Sequence, residues 1–249
     1  MEALIKEVLI YLFVLVFGAC FGSFANVLIY RIPRNLSVFL PNSFCLKCKT
    51  PLAWKDKIPL LSFLSLRAKC RHCADKIPFF YFLSELFGAI LALFCYFYFF
   101  ATLSALALFF LILFFYVLSV IDRHFLAIPD SLNFLTLALS LIFAILYFNE
   151  PLLTCITCLG FIGFATLLRL FVGYLAGKET LGEGDLLLFG AMGCTLGAFY
   201  GAIAIFLSAL YALFFILAIR VLYKRKESAI PFVPFLFLGF LSAFIWQIV

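Results

Sequence analysis

Leu86–Ile121 reads LFGAILALFCYFYFFATLSALALFFLILFFYVLSVI and carries no charge anywhere along its length. An α-helix rises about 1.5 Å per residue and the hydrocarbon core of a bilayer is about 30 Å thick, so about 20 apolar residues cross it once. The stretch is too long for one crossing and fits two, with Ala101-Thr102-Leu103-Ser104 as the turn. The same ruler finds spans at Val8–Tyr30, Ser131–Phe148, Leu152–Phe171, Asp185–Tyr200, Gly201–Leu222 and Phe232–Val249, which predicts about eight in all. Hydrophobic residues make up 67% of the 249 positions and charged residues 12%, where a soluble domain is about a quarter charged. The chain therefore reads as an all-α polytopic membrane protein. Glu2, Lys6 and Glu7 nearly cancel, and no small-residue cleavage site follows the first span, so that span is expected to stay in place.

Charge sets the expected orientation. Ten of the eighteen basic residues fall between Arg31 and Lys76, against Asp56 and Asp75 as the acids there. Such an excess in a short loop between apolar spans marks the cytoplasmic side. With the N-terminus outside, Lys6 alone of the eighteen stays out; Arg123, the Arg169–Lys178 region and Lys224-Arg225-Lys226 all fall inside. The net charge of +6 is thus a topology signal and predicts no nucleic-acid partner. The expected partners are the lipid bilayer and membrane substrates.

Two cysteine pairs stand in that loop, Cys45-x-x-Cys48 and Cys70-x-x-Cys73. Each pair offers two thiolates from one tight turn, and two such turns make a tetrahedral four-sulfur site suited to zinc. A cytoplasmic loop is kept reduced, which favours metal over disulfides. His72 is an alternative ligand ranked below the four cysteines. Cys155-x-x-Cys158 lies inside an apolar span and reads as packing. Gly18-Ala19-Cys20-Phe21-Gly22 spaces two glycines so that another helix can come close.

The twelve acids are few enough to weigh singly. Asp122 closes the third span and Asp185 opens the sixth, in Gly182-Glu183-Gly184-Asp185, so both are expected at the cytoplasmic edge of the bilayer. An acid at membrane depth costs roughly 2.5–3.5 kcal/mol on insertion scales and points to function. The structural alternatives are a capping role for Asp185, and pairing of Asp122 with Arg123 or Lys178. Together the two can share one proton, with the ionised member activating water and the protonated one polarising a carbonyl. Helix ends assign the base to Asp185, near an N-terminus, and the acid to Asp122, near a C-terminus. The glycines beside Glu183 are expected to admit a substrate backbone. Asp130, after Pro129, reads as a helix cap, and His124 as an interfacial residue. A proton-relaying transporter would instead place its acids near the midplane and repeat its sequence internally.

Several ordered motifs now resemble the type IV prepilin peptidases, the bifunctional leader peptidase/N-methyltransferases. They are Gly22-Ser23-Phe24-Ala25-Asn26-Val27 with Arg31-Ile32-Pro33, the paired cysteines, Ile58-Pro59-Leu60-Leu61-Ser62, Tyr81 to Glu85, Asp122 with Pro129-Asp130, and Gly182-Glu183-Gly184-Asp185. The last is similar to the GxGD motif of presenilin-like proteases. The resemblance implies catalytic Asp122 and Asp185, a prepilin or pseudopilin substrate with a basic leader, and S-adenosylmethionine as methyl donor. It implies a bacterial inner membrane location. It divides the chain into a first transmembrane helix (1–30), a zinc-ribbon-like cytoplasmic loop tied to methyl transfer (31–78) and a helical peptidase domain (79–249). Glu179 and Glu183 are expected to attract the basic leader. The chain departs from the family pattern at Leu46, at Ala68 where glycine is usual, at Leu187, and at Val233. None of these is expected to touch the two aspartates.

Overall fold

A backbone in hydrocarbon has no water to pair with, so each apolar segment must close its hydrogen bonds internally as a helix. A computed structural model describes residues 1–100, 102–177, 181–223 and 230–248 and shows that outcome. The helices are α1 (Glu2–Arg31), a short α2 (Leu61–Ser65), α3 (Phe79–Phe99), α4 (Leu103–Phe125), α5 (Asp130–Phe148), α6 (Pro151–Ala176), α7 (Glu183–Tyr223) and α8 (Val233–Ile248). Six of them, α1 and α3 to α7, are long and apolar enough to cross a membrane.

α7 is 41 residues long and breaks at Gly197, whose φ of 73° and ψ of −178° no helix accommodates. Its two halves and the 16-residue α8 complete the eight apolar segments expected from sequence. The break falls just before the expected Tyr200–Gly201 boundary. α3 begins at Phe79, earlier than the Leu86 ruler suggested, because it carries the buried Glu85 within its first turns. Ala101, Lys178, Glu179 and Lys224-Arg225-Lys226, all used in the sequence reading, lie outside the described residues.

The chain divides into two compact units, Met1–Ala105 and Leu106–Val249. In the first, α1 packs along α3. The contact is so close that a Cβ on Gly18 would meet the Gly88 carbonyl and one on Gly22 the Ser84 carbonyl. The small residues of α1 are therefore a docking seam, as their spacing predicts. In the second unit α4 is mostly buried, with Leu108, Leu113, Val117, Leu118 and Ile121 wholly inside. α7 packs against α5, α6 and α8. Its glycines admit neighbours: Ile162 presses on Gly190 and Phe161 on Gly193, while Ser208 of α7 seats Gly239 of α8. Phe13, Leu159, Phe171 and Phe199 are exposed, as suits helices whose outer faces meet lipid.

Substituting Gly88→Ala forces a methyl between two backbones, 2.9 Å from the Gly22 Cα and N. We expect a loss of about 1–3 kcal/mol, read as a lower melting temperature of the detergent-solubilised protein.

Candidate functional site

Each cysteine pair folds as a tight hairpin. Cys45 N–H donates to the Thr50 carbonyl (3.0 Å) and Lys49 N–H to the Cys45 carbonyl (2.9 Å). The second pair repeats this, Cys70 N–H to Asp75 (2.8 Å) and Ala74 N–H to Cys70 (3.0 Å). Lys49 and Ala74, one residue past each second cysteine, both take positive φ, at 59° and 55°. The two turns face each other, with Cys45 Sγ 3.8 Å from Cys73 Sγ and Cys48 Sγ 4.0 Å from Cys70 Sγ. All four sulfurs lie within 4.8 Å of one another. A tetrahedron with Zn–S bonds of about 2.3 Å has edges of about 3.8 Å, so the four sulfurs need only draw together slightly to hold zinc. Hydrogen bonds from the Thr50 side chain and backbone pull the Cys48 thiol down to about 6, toward the thiolate a metal needs. His72 is exposed and stands outside the cluster.

Charged pairs brace the cage. Lys47 Nζ reaches Asp75 Oδ1 at 2.8 Å, linking one hairpin to the other. Arg71 clamps Asp56 with contacts of 2.6 and 3.1 Å. The guanidinium holds this buried carboxyl below its ordinary range. Ala68 sits at φ 56°, which explains the family's glycine there.

The two aspartates belong to the second unit. Asp122 and Asp185 are buried, each less than one-tenth exposed. Asp122 lies in the last turn of α4, and its Oδ2 accepts the Val233 N–H at the start of α8, 3.0 Å away. Asp185 is the third residue of α7, and its Oδ2 accepts the Gly182 N–H at 3.1 Å, half of a capping box. Its Oδ1 is buried with no hydrogen-bond partner. The Asp122 charge acts on Asp185, so the carboxyl groups are within electrostatic reach.

Several sequence expectations change here. Val233 does touch Asp122, through its backbone, which serves equally well for any residue but proline. Both carboxylates rest on amides at helix N-termini, so helix ends no longer separate an acid from a base. Gly184 faces Ile128, whose Cβ would lie 2.8 Å from an added methyl; that glycine serves packing more than substrate access. Asp130 is exposed at the first turn of α5 and makes no side-chain cap bond. Glu183 pairs with Arg169 at 3.1 Å, so part of its charge is already engaged. Asn133 of α5 is a site residue that no sequence motif singles out: it is buried, and its Nδ2 donates to the Gly184 carbonyl at 2.8 Å, fastening the turn that carries Asp185. Its only sequence signal is a polar side chain three residues after Asp130 in an apolar span. Cys158 packs with Ala144 and Cys194, consistent with a packing role.

A multi-pass helical membrane protein with a four-thiol module and two buried acids on neighbouring helix ends is the class these features define. The Bacterial Peptidase A24 N-terminal domain matches residues 16–99 and the Type IV leader peptidase family matches residues 108–217. The chain belongs to the type IV leader peptidase family. It is 30% identical to a prepilin leader peptidase/N-methyltransferase of Legionella pneumophila, over 95% of this chain and 91% of that protein. It is 34% identical to an Escherichia coli type 4 prepilin-like proteins leader peptide-processing enzyme, over 89% and 88%. A Bacillus subtilis prepilin leader peptidase/N-methyltransferase is 30% identical over 93% and 92%. No solved structure matches.

Two tests follow from the module. Cys48→Ser should lower bound zinc in the purified protein from about one equivalent to well below it, measured by metal analysis after gel filtration. Ala68→Gly relieves a left-handed alanine and should stabilise the protein by about 0.5–1 kcal/mol, read as a higher melting temperature.

Proposed function

We propose that this chain cuts the basic leader from prepilin or pseudopilin substrates with Asp122 and Asp185, and N-methylates the new N-terminal residue. The observation that carries the first activity is the pair of buried aspartates within electrostatic reach, each with one oxygen anchored on a helix-terminal amide. Anchoring fixes both rotamers before substrate arrives, and Asp185 Oδ1 remains to accept a proton from water. Two carboxyls within reach of each other's charge favour holding a single proton between them. The ionised member deprotonates water as it attacks the scissile carbonyl. The protonated member donates to the carbonyl oxygen, and the leaving amine is protonated in turn.

The second activity rests on the family and on the names of its members. When bound, S-adenosylmethionine supplies an electrophilic methyl group. The cysteine cage, as a zinc site with Cys45, Cys48, Cys70 and Cys73 as ligands, holds the loop of residues 31–78 in shape beside the membrane helices. The excess of positive charge in the loop supports an N-terminus outside and both activities at the cytoplasmic face of a bacterial inner membrane.

Leader cleavage in membranes tests the dyad. Asp122→Asn and Asp185→Asn each keep an oxygen for the anchoring amide and should each slow cleavage by about 10²–10⁴-fold. The double variant should be no slower than the single ones, because the pair acts as a unit. Full activity in either single variant would remove the proposal.

A further inference from the structure

Glu85 plays no part in peptide cleavage as described, yet it is among the most constrained side chains of the first unit. It is 8% exposed. Ser23 Oγ donates to its Oε1 at 2.8 Å, and the Leu60 N–H donates to its Oε2 at 2.7 Å. Leu60 is held at φ 62° and ψ −50°, with Leu61 N–H bonded to the Pro59 carbonyl at 2.6 Å. That is a γ-turn of the strained hand, rare for a leucine, and such strain gathers at functional sites. Beside it Asn26 is 5% exposed, and its Nδ2 is spent on the Tyr81 and Gly22 carbonyls at 3.3 and 3.4 Å. This fixes the amide orientation, and the buried Oδ1 is left without a donor.

Ser23, Asn26 and Glu85 line one cavity of about 350 Å³, between α1, α3 and the cysteine loop. Its size suits a small-molecule head group. Tyr81 and Phe63 are among its aromatic walls. Basic residues line it too: Arg31 is bound to the carbonyls of Ser37, Val38 and Pro41, Arg71 to Asp56 and Lys47 to Asp75, while Lys57 and Lys76 come from the cysteine loop. What the α1–α3 end offers is a buried carboxylate, an acceptor lacking a hydrogen, and π-faces. A ligand that answers all three is a cation with N–H donors.

We propose that this cavity binds a primary α-ammonium group through Glu85 and Asn26 Oδ1, as the recognition site for methyl transfer. The inference rests on the methyltransferase reading above and deepens it. Two sources carry that chemistry: the N-terminus newly exposed on a cleaved pilin, and the amino-acid head of the methyl donor. A sulfonium alone has the charge but no hydrogen for Asn26.

Calorimetric binding to the full-length detergent-solubilised protein tests it and separates the sources. One arm compares a leaderless pilin N-terminal peptide bearing a free α-amine with its N-acetylated twin. The other compares S-adenosylhomocysteine with its deaminated analogue. In at least one arm the amine-bearing ligand should bind about tenfold or more tightly in the wild type, and Glu85→Gln should erase that preference. Glutamine can keep its oxygen on the Leu60 N–H and its nitrogen on Ser23 Oγ, so the turn stays supported. Glu85→Asp, which withdraws the charge by one methylene, should bind with intermediate affinity and serves if glutamine unfolds the protein. A preference retained by the substituted protein, or absent from a wild type that still transfers methyl groups, overturns the proposal and leaves the methyltransferase reading standing. A wild type that binds neither ligand and transfers no methyl group ends both.

Discussion

An acid among apolar helices is tolerated where backbone donors meet it, and three acids of this chain are met in that way. Asp122 takes the N–H of Val233, Asp185 that of Gly182, and Glu85 that of Leu60. Each contact also ties down a piece of chain. Asp122 joins α4 to the start of α8, Asp185 closes the turn ahead of α7, and Glu85 holds the Pro59–Leu61 turn against α3. An N–H at the open end of a helix lacks an intrahelical partner and carries partial positive charge, so the match satisfies donor and acceptor together. Positions of chemical interest thus become fixed points of the fold.

The sequence disclosed the larger design because lipid allows so few solutions. Thirty-six uncharged residues could only be two helices, and α3 and α4 meet near Thr102, as the weak polarity there indicated. The doubled cysteine pairs were equally legible, since four sulfurs in two short turns have one simple arrangement. Boundaries were less so. α3 reaches back to Phe79 although it carries Glu85, because that carboxyl is met by hydrogen-bond donors that hydropathy cannot see, and α7 breaks at Gly197, short of the composition-based boundary.

Partnerships through space were not legible. Nothing near Asp122 in the chain announces Val233, more than a hundred residues on, and nothing in Leu60 reveals that its amide is the feature of value. Asn133 reads as one polar residue in an apolar span, although it secures the turn carrying Asp185. Gly184 was visible as a requirement for a small residue, but its cause is Ile128 and not an incoming substrate. In each case the sequence showed that a position was constrained, and only tertiary contact showed by what.

The backbone hold on Asp122 has a wider consequence. Because α8 offers an amide hydrogen and asks nothing of the side chain attached to it, the residue at 233 is free to answer to its apolar neighbours alone. The helix can therefore carry valine or another apolar residue at its entrance, fill the space around it, and leave the carboxylate unaware of the substitution. Chemistry and packing are uncoupled at that residue, which lets the hydrophobic interior of such an enzyme drift without disturbing the acid it surrounds.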